Sequence, residues 1–249
     1  MGTELRPWAA REGLAAACAA VLILGAGCRP ARPTAPTAPP QPPPAAPPRA
    51  AGAAASPGGP ARLDAAALLY PRHTGDWWEL REKVGSETHT VRLAVEPATA
   101  PTTETAFDVA TTRDGARVQT ERYTVTDEGV FRVAAGQEAA ARIVPPMPVL
   151  RLPFSAGARW TWRGALVDAV GSLPAEATFH LTGPEKVEVP AGSFQAYRLD
   201  QEFTLQSPEG PQTVANRQWL VPKVGLVKQT TDDGKAPATA ELMKFRVAE

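Results

Sequence analysis

TAFDVATTRDGARVQTERYTVTDEGVFRV, residues 105–133, decides how this chain folds. Asp114-Gly115 sits between two runs in which polar and apolar residues alternate, the strongest short-range signal for a β-hairpin. Asp127-Glu128-Gly129 marks the next reversal. Downstream, similar runs cover 159–170, 176–189, 193–206, 213–221, 225–231 and 239–247. Gly183-Pro184, Pro190-Ala191-Gly192, Pro208-Glu209-Gly210 and Asp232-Asp233-Gly234 punctuate them. Reversals about ten residues apart suit an antiparallel meander or barrel. A parallel sheet needs crossover helices, and no long amphipathic pattern supplies them. GQEAAARI (136–143) has room for one or two helical turns, and RLDAAALLY (62–70) for a short helical turn or an incoming strand.

Period-two reading separates the faces. Tyr197, Leu199, Gln201, Phe203 and Leu205 share one face, and Arg198, Asp200, Glu202, Thr204 and Gln206 the other. Trp160, Trp162 and Leu166 point one way, and Arg159, Thr161 and Arg163 the other. One dry face and one wet face predict a mainly β domain over 62–249, built on a single curved antiparallel sheet.

One phrase occurs twice in the domain. YPRHTGDWWELRE (70–82) and LPFSAGARWTWRG (152–164) share Pro-x-x-x-Gly-x-x-Trp-x-x-Arg, 82 residues apart. Proline ends the incoming chain, glycine permits a turn, and a strand starts. The pattern predicts two meanders opened by one device. Trp78 and Trp160 then fall at equivalent places, with Arg81 and Arg163 at solvent or the rim. Buried indole is ordinarily packing. The functional reading makes Trp78, Trp160, Trp162 and Phe203 the wall of an apolar cavity, with Tyr197 and Trp219 as further candidates.

The amino-terminal quarter is different. Residues 29–60 hold 12 of the 27 prolines and no aromatic or large aliphatic side chain. Such a segment has nothing to bury against its ordering entropy. It is predicted to be a disordered Pro/Ala-rich tether, residues 28–61, spanning on the order of 100 Å when extended. Residues 1–27 read as a secretory signal: Arg6 and Arg11, then an apolar stretch over 13–27 too short for a comfortable bilayer span.

LGAGC, ending at Cys28, resembles a bacterial lipobox, although Gly25 stands where a large aliphatic is preferred; Cys18 in LAAAC fits the same letters after a much shorter apolar run. The resemblance implies cleavage before Cys28, acylation of that cysteine and anchorage in a membrane, which several acyl chains make stable. By the sorting rule of enteric lipoproteins, Arg29 implies the outer membrane. With only Cys18 and Cys28 in the chain, the folded domain has no disulfide to rely on.

Composition excludes several classes. The formal net charge is zero, from 26 basic and 26 acidic residues, and no basic run offers a surface to nucleic-acid phosphates. There is no phosphate loop, no dinucleotide fingerprint and no Gly-x-Ser-x-Gly elbow around Ser155, Ser172 or Ser193. His73, His89 and His180 are far apart in sequence, without metal-ligand spacing. Asp232-Asp233-Gly234-Lys235 lacks the alternating ligands of a calcium loop. No cofactor, metal or catalytic group is predicted.

VPAGSFQAYRL (189–199) and WLVPKVGLVKQ (219–229), taken with the YP…G…W phrase at 70–78, resemble a set of uncharacterised bacterial exported lipoproteins. Those are similar in architecture to the lipoprotein-localisation factors LolA and LolB. The resemblance implies a half-open antiparallel barrel over an apolar cavity that takes acyl chains; this chain codes little helix for the lid that those factors carry. Two functional readings follow. One is a tethered, non-catalytic binding module for a hydrophobic ligand or a lipidated client. The other is a structural or assembly subunit that presents its sheet to another envelope protein.

Overall fold

Asp114 and Gly115 both take positive φ, 49° and 86°, the backbone that a two-residue hairpin turn requires. They join β3 (Ala106–Arg113) to β4 (Ala116–Thr126). The computed structural model describes residues 73–98 and 106–248. The expected signal segment (1–27), the expected tether with Cys28 (28–61), residues 62–70 and Pro71 lie outside them. The other strands are β1 (Trp77–Val84), β2 (Glu87–Pro97), β5 (Gly129–Ala135), β6 (Ala141–Arg151), β7 (Arg159–Val167), β8 (Ser172–Val189), β9 (Gly192–Ser207), β10 (Gly210–Val221), β11 (Gly225–Asp232) and β12 (Ala238–Arg246). Each pairs antiparallel with the next in sequence.

The expected mainly β, curved antiparallel sheet is thus present, and it curls beyond the half-open form until β12 meets β1. That joint runs along the whole of β1, Trp77–Val84 against Ala238–Arg246. Leu80 stands opposite Leu242, both almost fully buried. Closure pairs the two sheet edges that an open sheet would leave exposed.

The alternation pattern leaves 141–151 without a strand, because Pro145, Pro146 and Pro148 remove ladder donors. A strand forms there nonetheless. β6 pairs with β5 on one side with two register irregularities. On the other side its ladder to β7 stops after Arg142–Val144 against Ala165–Val167. Of the helical turns expected over 136–143 only a 3-10 turn forms, Gln137–Ala139. It follows Gly136, whose carbonyl accepts the Thr120 N–H on β4 (2.9 Å).

The repeated phrase is a repeated structure. Gly75 and Gly157 have φ of 96° and 86°, the left-handed region that glycine enters without penalty. Gly75 N–H donates to Val95 and Gly157 N–H to Leu181. The following residues, Asp76 and Ala158, donate back to His73 and Ser155 and accept from Val95 and Leu181. Trp78 and Trp160 are then buried to the same degree, and each indole N–H donates to a carbonyl, of Val224 and Pro148 respectively. The barrel is two six-strand meanders, each opened by this device. Arg81 and Arg163 point outward, toward Glu241 (3.5 Å) and Glu176 (3.4 Å).

The outer face carries a chain of charged contacts across neighbouring strands. Glu241 is shared by Arg81 and Lys228 (3.3 Å). Trp219 donates its indole N–H to Glu185 (2.6 Å), and Arg198 bridges Glu185 and Asp200. Exposed pairs of this kind contribute little individually, but they fix register across the sheet.

Candidate functional site

β7 sends Trp160 and Trp162 inward because they are two residues apart on one face. Phe179 on β8 stands opposite Trp160 in register, and the rings stack with centroids 5.2 Å apart and planes 10° from parallel. Trp162 stands opposite Ala177, whose partner on β9 is Phe203. The small Ala177 side chain lets Trp162 reach across to Phe203, 6.4 Å away and 18° from parallel. The four rings form an aromatic strip on the inner wall of β7–β9.

The strip lies beside the incomplete joint. Beyond Val144, the proline-bearing half of β6 has no ladder to β7. Two indoles stand in for it: Trp162 Nε1–H donates to Pro145 O (3.0 Å) and Trp160 Nε1–H to Pro148 O (2.8 Å). At the start of this gap Gly164 sits so close to its neighbours that an added Cβ would lie 2.4 Å from Trp162 Cζ2 and 2.5 Å from the Val144 carbonyl oxygen.

The inner wall is not apolar throughout. One cross-strand row runs from Thr231 through Asn216, Gln201 and Phe179 to Trp160, so the aromatic strip borders polar side chains. Gln229 donates to Thr231 Oγ1 (3.2 Å), and Thr231 to Asn216 Oδ1 (3.4 Å). Across the barrel, Glu82 shares the inward face of β1 with Trp78 and Leu80 and is 0 % exposed. Arg113 Nε lies 3.0 Å from Glu82 Oε2, yet neither carboxylate oxygen has a hydrogen bond of good geometry among the described residues. Burial pushes the Glu82 carboxyl above its usual range, with Arg113 pulling it partly back. Glu121 accepts from the Tyr123 hydroxyl (2.7 Å) and pairs with Arg132.

The outer face holds an open groove of about 680 Å³ across β7–β10, lined among others by Arg159, Thr161, Thr178, His180, Glu202 and Arg217. Asp200, also in the groove, is held between Arg198 (3.1 Å) and Arg217 (3.3 Å). His180 Nδ1 lies 4.0 Å from Asp200. His89 is bonded to Asp114 (2.7 Å) and Glu87 (3.3 Å). The Thr90 amide and His89 hold the Asp114 carboxyl below its usual range. His73 is beside Asp76. Among the described residues no group of three or more His, Cys, Asp or Glu stands together as a metal site.

The six candidate residues do not converge on one cavity. Trp160, Trp162 and Phe203 come together in the strip. Trp78 is buried at the other copy of the repeat, on β1. Tyr197 is half-buried and meets Phe154 of the β6–β7 connection edge-on, with centroids 4.6 Å apart. Trp219 stands opposite Lys228 and Arg198 on the charged outer side, bonded to Glu185, and so is no part of an inner wall. Sequence reading passed over Phe179 and Glu82, although both keep the inward period of their strands.

A closed antiparallel barrel with a mixed aromatic and polar inner wall is the class that this geometry defines. The DUF3108-like family model matches residues 180–240, a stretch that contains both VPAGSF and WLVPKVGL. No curated protein matches the chain. Among solved structures it is similar to a protein described as a lipoprotein from Parabacteroides distasonis, at 14% identity over 72% of this chain and 98% of that one, with a TM-score of 0.49. It is also similar to an exported protein with a YmcC-like fold from Bacteroides fragilis (12% identity, 72% and 99% covered, TM-score 0.38). The hypothetical lipoprotein YmcC from Escherichia coli is a third (13% identity, 73% and 88% covered, TM-score 0.38).

Proposed function

We propose that this protein is a cell-envelope lipoprotein, anchored through acylated Cys28 in the outer membrane, whose barrel is a non-catalytic binding module for a hydrophobic ligand or the acyl chains of a lipidated client. One observation carries the reading. Four aromatic rings on the inner wall of β7–β9 stand immediately behind the one joint whose ladder gives way to prolines. The rings are packed into the barrel's core, so an apolar ligand meets them only where that wall opens, and neighbouring polar side chains can then fix its orientation.

The test is native mass spectrometry of protein extracted gently from membranes, together with titration by cis-parinaric acid, a fluorescent fatty acid, read through tryptophan emission. A bound lipid mass and a saturable response, lost in Trp162→Ala that still folds, are expected. Absence of both removes the apolar-ligand reading. The assembly reading is favoured by the outer groove across β7–β10, whose threonines and charges suit a polar protein surface. In that case the probe does not bind. A photo-crosslinker at Thr178 then yields one discrete adduct in the intact envelope, which is absent when the crosslinker is placed at Lys244.

A further inference from the structure

The geometry points to a lateral way into the barrel: an apolar chain passes between β6 and β7 and comes to rest against the Trp160–Phe179 and Trp162–Phe203 stacks. This rests on the apolar-ligand reading above and adds the route.

A closed barrel with both edges paired admits a ligand only at its ends or where a joint yields. The joints are unequal. β1 and β12 are laddered along the whole of β1. β11 and β12 are laddered over Lys228–Thr231 against Ala238–Glu241. There, next to the end of the ladder, the β8–β9 turn steps in and Ala191 N–H donates to Leu242 O (2.9 Å). Between β6 and β7 the ladder covers three residues on each strand, and among the described residues no backbone segment hydrogen-bonds into the remainder. Pro145, Pro146 and Pro148 have no N–H to give, so β6 cannot extend that ladder by donating at these positions. What spans the gap is the pair of indole hydrogen bonds to Pro145 and Pro148. Local opening is drawn from the segments with the fewest backbone bonds.

The same two indoles belong to the aromatic strip. Swinging them away from β6 would break the side-chain part of the joint and expose the strip in one movement. Val144, the last laddered residue before the gap, is 46 % exposed, which places an apolar side chain at the outer lip. Gly164 sets how close the strands lie, since a Cβ there would meet both Trp162 and the Val144 carbonyl.

The experiment uses the full chain with Cys18 and Cys28 replaced by Ser, and cis-parinaric acid as probe. Val144 and Ala165 are register partners, within reach of an engineered disulfide. V144C/A165C pins the last laddered pair, at the edge of the gap, when oxidised and frees it to part when reduced. Lys83 and Thr239 are register partners across β1–β12, so K83C/T239C is the control. The expected result is that oxidation of V144C/A165C slows probe uptake at least tenfold, with dithiothreitol restoring it, while the control pair takes up probe equally in both states. Gly164→Ala, which wedges the joint, is expected to speed uptake. Equal uptake by oxidised and reduced V144C/A165C overturns the route while leaving the ligand reading intact. No uptake by any form, including the reduced pairs, overturns the ligand reading and the route with it.

Discussion

Trp160→Ala is expected to destabilise the barrel by about 3–5 kcal/mol, the range for truncating a buried aromatic. The loss has three sources. The indole is buried, so its removal leaves a cavity next to Phe179. The stack with Phe179 disappears, and Pro148 O loses its donor on the side of β6 that has no ladder to β7. For a domain of this size the melting temperature should fall by roughly 6–20 °C, at about 2–4 °C per kcal/mol. Trp78→Ala should behave alike, because the second copy of the device has the same turn, the same burial and an equivalent bond to Val224. Trp160→Phe keeps most of the stack and loses the indole bond, so about 1 kcal/mol is expected. Arg163→Gln should be near neutral, since Arg163 is largely exposed and its pair with Glu176 is a surface one. Thermal or urea unfolding of the four variants decides this. Near-neutral results for both alanine variants would deprive the repeated phrase of its structural role.

Glu82→Ala should cost a similar amount, about 3–5 kcal/mol, for a different reason. It leaves the Arg113 guanidinium, whose side chain is only 10 % exposed, without the carboxylate that balances it. Removing both charges with Glu82→Leu and Arg113→Met should recover most of the loss, because a buried ion pair is repaid only partly for its desolvation. The carboxyl also sets a pH dependence. Burial holds it above its ordinary value of 4.5 in the folded state, so the folded protein binds this proton more tightly than the unfolded chain. The stability that the proton contributes is complete below about 4.5 and is lost as pH rises through the higher folded value. Stability of the native protein minus that of Glu82→Gln, which does not titrate, should therefore decline as pH rises above 4.5. A difference that grows with pH would mean that Arg113, not burial, dominates.

Most of the strands were legible because their signals were local. Asp114-Gly115, Pro190-Ala191-Gly192 and Asp232-Asp233-Gly234 mark reversals by backbone chemistry that does not depend on distant partners. The inward row Trp160, Trp162, Leu166 followed from period two alone. β6 was not legible, since three prolines within four residues argue against a ladder. The strand exists because β5 pairs with one side of it while the β7 indoles reach the other, a tertiary arrangement that no window of sequence contains. Closure was hidden for the same reason: the meeting of β1 and β12 joins residues about 160 positions apart. The site was legible only in part. Trp160, Trp162 and Phe203 keep the inward period, but Trp219 was grouped with them by residue type. Its charged cross-strand partners, Lys228 and Arg198, place it outside.

Amide hydrogen exchange read by mass spectrometry tests the central claim, a barrel sealed at β1–β12 and weakest at β6–β7, most directly. Peptides covering 77–84 and 238–246 should exchange as slowly as those from β8 and β9, while the peptide covering 159–164 exchanges faster than any of them. Rapid exchange in β1 and β12 together with strong protection of 159–164 would contradict the account: the barrel would then be open at its ends in sequence and closed where the indoles stand.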